Sequence, residues 1–213
     1  MRRKRPVVSA LTAALACVAL ALATACSADG EDSEKRTPSP SATKGITQAC
    51  PGIIDAQIIA EARNSELWPQ TQVGPSISIK QAAGALQAAY PEPSPSPHRL
   101  CALTDKKSNL LRLGTSVTWA DSSKVTGKPF GRDETARYET GNSPSNAGTL
   151  WVACHLKGAK ETPARTLLRF TTWDALKVRE QSHAKMLIAS AKKLTARMGC
   201  TNTVSYPDPE ETV

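Results

Sequence analysis

The chain has little of what a catalytic or metal centre is usually built from. It holds three histidines, His98, His155 and His183, and none has a carboxylate or a second histidine at ligand spacing. No H-x-x-x-H, H-E-x-x-H or C-x-x-C occurs, which removes the common zinc arrangements. There is no G-x-S-x-G, no phosphate-binding G-x-x-x-x-G-K and no G-x-G-x-x-G, so the familiar hydrolase and nucleotide readings have no footing. Aromatic residues make up 4% of the sequence. No catalytic residue, metal ligand or cofactor is expected, and the chain does not read as an enzyme.

Two Ser-x-x-Lys segments, Ser182 to Lys185 and Ser190 to Lys193, match the first motif of penicillin-binding enzymes. The companion S-D-N and K-T-G elements are absent, and this spacing arises easily by chance on a basic helix. Charge is equally uninformative about nucleic acid. Four of the 27 Lys and Arg lie in residues 2–5, leaving 23 against 19 acidic residues in the rest of the chain. A surplus of four with no clustering is not a nucleic-acid footprint.

What the chain does have begins at its N-terminus. Arg2, Arg3, Lys4 and Arg5 precede an uncharged run from Val7 to Ala25. A basic head, an apolar middle and a small-residue end are the parts of an export signal. Ala23-Thr24-Ala25-Cys26 closes it. This segment resembles the lipobox of bacterial lipoprotein precursors, in which an apolar residue and two small residues precede an invariant cysteine. Ala23 stands where that family has leucine, and Leu22 lies one place earlier. The resemblance implies cleavage of residues 1–25, a diacylglyceryl group on Cys26 and an extracytoplasmic, membrane-anchored location. Two acyl chains give stable anchoring where one is marginal. Ordinary signal cleavage after Ala25 and an uncleaved anchor are the alternatives.

Besides Cys17 and Cys26, the chain holds Cys50, Cys101, Cys154 and Cys200. An even number in an exported chain reads as two disulfides. Three pairings are possible. Cys200, directly behind the last helix, favours Cys154 as its partner and leaves Cys50 with Cys101.

Residues 26–45 contain no large apolar side chain before the terminal glycine and read as a disordered tether. One α+β domain is expected over 46–205, followed by a mobile acidic tail at 206–213. Apolar spacing gives helices over about 51–65 and 78–90, then a proline-rich connector at 91–97. Alternation gives a hairpin from 99–104 and 110–119 and a second strand pair from 150–156 and 165–172. Thr171-x-x-Asp174 resembles a capping box, and a long helix is expected over 173–198 with Gly199 as its stop. The fold expected is an antiparallel sheet of about four strands with two or three packed helices. Short matches between the two strand pairs, including Cys101 with Cys154, hint at duplication.

The polar stretch from Asp121 to Gly148 reads as a long loop, and loops of this length inside a domain are commonly functional. Phe130, Arg132, Arg137 and Tyr138 are its candidate binding residues. The functional expectation is a lipid-anchored binding module at the cell envelope that meets a protein partner or a cell-wall component. A small-solute-binding lipoprotein and an envelope enzyme with a cryptic site are the alternatives.

Overall fold

The computed structural model describes residues 40–90, 96–131, 133–158 and 166–212. Cys26, the export signal and most of the proline-rich connector lie outside them. Among the described residues four helices, α1 (Pro40–Ala49), α2 (Ala56–Arg63), α3 (Ile79–Ala89) and α4 (Glu180–Met198), accompany one sheet. Its strands are β1 (Thr71–Val73), β2 (His98–Asp105), β3 (Leu111–Asp121), β4 (Ala136–Ser143), β5 (Asn146–Ala153) and β6 (Thr166–Asp174). Their order is β1-β2-β3-β6-β5-β4, and every neighbouring pair is antiparallel. Two consecutive triplets therefore meet at the central β3–β6 pair, with their first strands at the two edges. The domain is α+β, as the sequence indicated.

The alternation of residues in the central strands divides the sheet into two faces. Leu113, Val117 and Trp119 of β3, Leu168 and Phe170 of β6, and Leu150 and Val152 of β5 share one core with the helices. Leu86 of α3 and Leu187, Ala191 and Leu194 of α4 belong to it, as do Ile46 of α1 and Ile58 of α2. Burying a leucine-sized side chain contributes about 1.5–3 kcal/mol, so this core carries most of the stability. Polar ties set its register. The Trp119 indole N–H donates to the Leu86 carbonyl at 2.7 Å, and the Thr115 and Ser190 hydroxyls lie 3.1 Å apart.

The cysteines pair as Cys50–Cys101 and Cys154–Cys200. Each bridge joins the end of a helix to the sheet: Cys50 follows α1, and Cys200 lies two residues beyond α4. Their partners lie in β2 and directly after β5, the middle strands of the two triplets.

Several sequence expectations are corrected. Among the described residues the sheet has six strands instead of about four, and there are four helices instead of two or three. The additions sit in polar sequence: α1 begins at Pro40, inside the expected tether, and β4 and the start of β5 occupy the expected 121–148 loop. The helix expected over 51–65 begins only at Ala56. Gly52 has φ +62°, which interrupts a right-handed helix, and the Asp55 carboxylate accepts the Ile58 N–H at 2.9 Å as the true cap. The last helix begins at Glu180 because Thr171, Thr172 and Trp173 continue β6 opposite β3. Asp174 accepts the N–H groups of Leu176, Lys177 and Val178, turning the chain before the helix starts. Lys177 in that turn has φ +60°, which a helix does not allow. The C-terminal segment from Tyr206 contacts α4. The Tyr206 and Thr195 hydroxyls are 2.9 Å apart, and Lys185 pairs with Glu210 at 2.8 Å.

Candidate functional site

A groove with an apolar lining opens where α1, α3 and α4 converge. Its volume is about 650 Å³, within the range of small-molecule sites. Ile53, Ile77, Ile79 and Leu100 give it an apolar floor, while Lys80, Lys193 and Arg197 stand on its rim. No carboxylate lines it. All three cations are exposed, and none makes an ion pair among the described residues.

Each wall follows from local sequence. Cys50 is bridged to Cys101, which holds the end of α1 against β2 beside Leu100. Ser78 caps α3 in a reciprocal box: its hydroxyl accepts the Gln81 N–H at 3.2 Å, and the Gln81 side chain accepts the Ser78 N–H at 3.0 Å. The positive end of α3 therefore faces the groove at Ser78 and Ile79. Lys193 and Arg197 are four residues apart on α4 and project from one face of it. The Lys193 ammonium lies over Gly52, where an added Cβ would sit 3.2 Å from it. An apolar floor under a cationic rim can hold a molecule with a hydrocarbon part and a negative end.

The loop residues singled out from sequence do not form one surface. Arg132 lies outside the described residues. Phe130 packs over Trp151, Ala153, Ala120 and Leu167 on the sheet face away from the helices. Arg137 lies on that same face and is occupied internally. Its guanidinium donates to the Lys128 and Pro129 carbonyls at 2.5 and 3.0 Å and pairs with Glu134. Arg137 holds the Glu134 carboxyl below its usual range. Tyr138 points the other way, into the helix-side core. Burial pushes its phenol well above the usual range, and the Glu180 carboxylate adds to the effect.

The face away from the helices holds indoles, hydroxyls and guanidinium groups in cross-strand register. Arg137, Trp151, Arg169 and Thr118 form one row across four strands. The Arg169 guanidinium lies 6.0 Å from the Trp151 ring. In the next row Thr149, Thr171 and Ser116 align, and the Ser116 and Thr171 hydroxyls are 2.9 Å apart. Trp173 lies over Gly114, which has no side chain to block it. The indole N–H groups of Trp151 and Trp173 and the Arg169 Nε are buried without an acceptor. A buried donor left unmet costs about 1–3 kcal/mol, so three on one face are a substantial strain. All four tryptophans are buried, as strand-end tryptophans usually are. Only the donors reveal the difference, and sequence carries no signal for them.

Among the histidines, His155 is exposed beside buried Cys154, and His183 is buried against Asp174. Among the described residues, no group of three or more His, Cys, Asp or Glu is placed to hold a metal ion. No helix among them is long and apolar enough to cross a membrane. No protein-family model, curated protein or solved structure matches this chain.

Proposed function

We propose that this protein is a lipid-anchored module of the extracytoplasmic membrane face that binds an anionic amphiphile in the groove between α1, α3 and α4. The groove carries the reading: its floor is apolar, its rim bears three cations, and no acidic side chain lines it. A ligand with a hydrocarbon tail and a carboxylate or phosphate end satisfies both parts. The two disulfides fit an oxidising compartment, and Ala23 to Cys26 supply the lipobox-like anchor. Thirteen residues lie between Cys26 and Pro40, a short link between anchor and domain. The groove would then work close to the bilayer, where such amphiphiles reside.

Fluorescence titration of the purified full-length protein with cis-parinaric acid and with its uncharged alcohol tests this. Each exposed charge contact is worth up to about 1 kcal/mol, or about fivefold in affinity. The acid should bind about tenfold or more tightly than the alcohol. The double substitution Lys193→Ala with Arg197→Ala should remove most of that preference while leaving alcohol binding unchanged. Equal binding of acid and alcohol, or an unchanged preference in the double variant, would rule the groove reading out.

A further inference from the structure

We infer that the Cys154–Cys200 bridge is a site of thiol–disulfide exchange, opened by a dithiol reductant, while Cys50–Cys101 is a permanent staple. Chain entropy does not separate the two, because their sequence separations are 46 and 51 residues. Access separates them. Cys50 and Cys101 are 1% and 0% exposed, and Cys154 is 2% exposed. Of the four bridged cysteines, Cys200 alone is partly exposed. It lines a surface hollow of about 220 Å³ together with Lys192, Asn202 and Tyr206, and no carboxylate lines that hollow. Exchange requires a thiolate to reach one sulfur of the bridge, and exposed bridges are the labile ones. The Lys192 ammonium, 5.6 Å from the centre of the Tyr206 ring, stands at this hollow and favours an approaching anion.

One thiolate of the reductant attacks the Cys200 sulfur, the Cys154–Cys200 bond breaks, and Cys154 leaves as a thiolate that takes up a proton. The second thiol of the reductant then attacks the mixed disulfide and releases Cys200. The dithiol gives up two electrons and two protons, and the two cysteines receive them. The chain beyond Cys200 is held mainly by polar contacts at the surface. The Thr201 N–H donates to the His155 carbonyl and the Ser205 N–H to the Thr135 hydroxyl, both at 2.8 Å. The Asn202 side chain accepts the His155 N–H at 2.8 Å and donates to the Ala153 carbonyl at 2.9 Å. Val204 and Tyr206 are only partly buried against the core. Such hydrogen bonds exchange for water at small net cost once the covalent tie is gone. Reduction therefore frees the segment from Gly199 onward, while Cys50–Cys101 keeps the end of α1 on the sheet. The freed chain carries Asp208, Glu210 and Glu211, and its departure uncovers Lys185 and Lys192 on α4.

The test exposes the native full-length protein to dithiothreitol or to reduced thioredoxin at equal dithiol concentration. Timed samples are trapped with iodoacetamide and each cysteine is followed by peptide mass. Cys154 and Cys200 should be alkylated about tenfold or more faster than Cys50 and Cys101 with either reagent. Faster opening by thioredoxin assigns the site to a protein dithiol, and faster opening by dithiothreitol assigns it to a small thiol. Lys192→Glu, first shown to retain the wild-type melting temperature, should slow the opening of Cys154–Cys200 by about threefold or more. It should leave Cys50–Cys101 unchanged. In protein with only Cys154–Cys200 opened, amide exchange should rise over residues 199–206 and stay unchanged in β2. The inference fails if both bridges open at one rate, if Cys50–Cys101 opens first, or if neither opens without denaturant. It fails equally if amide exchange rises throughout the sheet, or if Lys192→Glu leaves the opening rate unchanged.

Discussion

His183 Nε2 and Asp174 Oδ2 lie 2.9 Å apart and join the end of the sheet to the first turn of the last helix. The same carboxylate accepts three backbone N–H groups, from Leu176, Lys177 and Val178. Asp174 is thus the hinge on which β6 becomes α4. Asp174→Ala leaves those donors buried and unmet, and should cost at least about 3 kcal/mol. Asp174→Asn keeps one acceptor oxygen and should cost less, about 1–2 kcal/mol. Urea unfolding midpoints measure both, and a midpoint unchanged by the alanine would refute this role.

Glu61 should make stability depend on acid. Burial alone would raise its pKa, but hydrogen bonds from Arg179 and Ser182 outweigh it and hold the carboxyl at about 2. The folded value lies below the ordinary 4.5, so the ionised group stabilises the folded state above pH 4.5. That contribution is lost as pH falls from about 4.5 toward 2. The urea midpoint should therefore decline through this window more steeply in the wild type than in Glu61→Gln.

Opening the Cys154–Cys200 bridge should be expensive. It closes a loop of 46 residues, which corresponds to about 4 kcal/mol on the chain-entropy model. The double substitution Cys154→Ser with Cys200→Ser should lower the urea midpoint accordingly, and the wild type under reductant should approach it. The end of α4 should then show the largest gain in amide exchange.

Gly52 links backbone strain to the groove. With φ +62°, it adopts a conformation that costs an ordinary residue about 1–2 kcal/mol. A Cβ there would also meet the Lys193 side chain at 3.2 Å. Gly52→Ala should destabilise by about 1 kcal/mol and weaken cis-parinarate by about twofold to fivefold through displacement of the Lys193 ammonium. Unchanged binding would show that Lys193 does not contact the ligand.

The elements legible in the sequence were those with one buried face. The apolar spacing of Ala82, Ala83 and Leu86 marked α3, and alternation through Leu113, Val117 and Trp119 marked β3. β4 escaped because it is an edge strand: only Ala136 and Tyr138 pack on the core, and its other residues are polar. α1 escaped because its described part contributes only Ile46 to the core. Asp174 was read as a helix cap because its spacing from Thr171 suits one. Its actual partners lie in the turn that follows, and two extended residues stand between it and Thr171. The groove was not legible at all. Its floor comes from Ile53, Ile77, Ile79 and Leu100, and its rim from Lys80, Lys193 and Arg197. Those residues come together only once the sheet and the Cys50–Cys101 bridge have formed. The unmatched donors opposite the helices likewise exist only through cross-strand register.

The most direct measurement is the mass of the protein extracted from its own membrane, recorded once under native and once under denaturing conditions. The denatured mass should equal a chain beginning at Cys26 with a diacylglyceryl group and two disulfides. The native mass should exceed it by one anionic amphiphile, which the Lys193→Ala with Arg197→Ala protein should lack. A chain that keeps residues 1–25 or carries no lipid, with native and denatured masses equal, would contradict both the anchor and the groove.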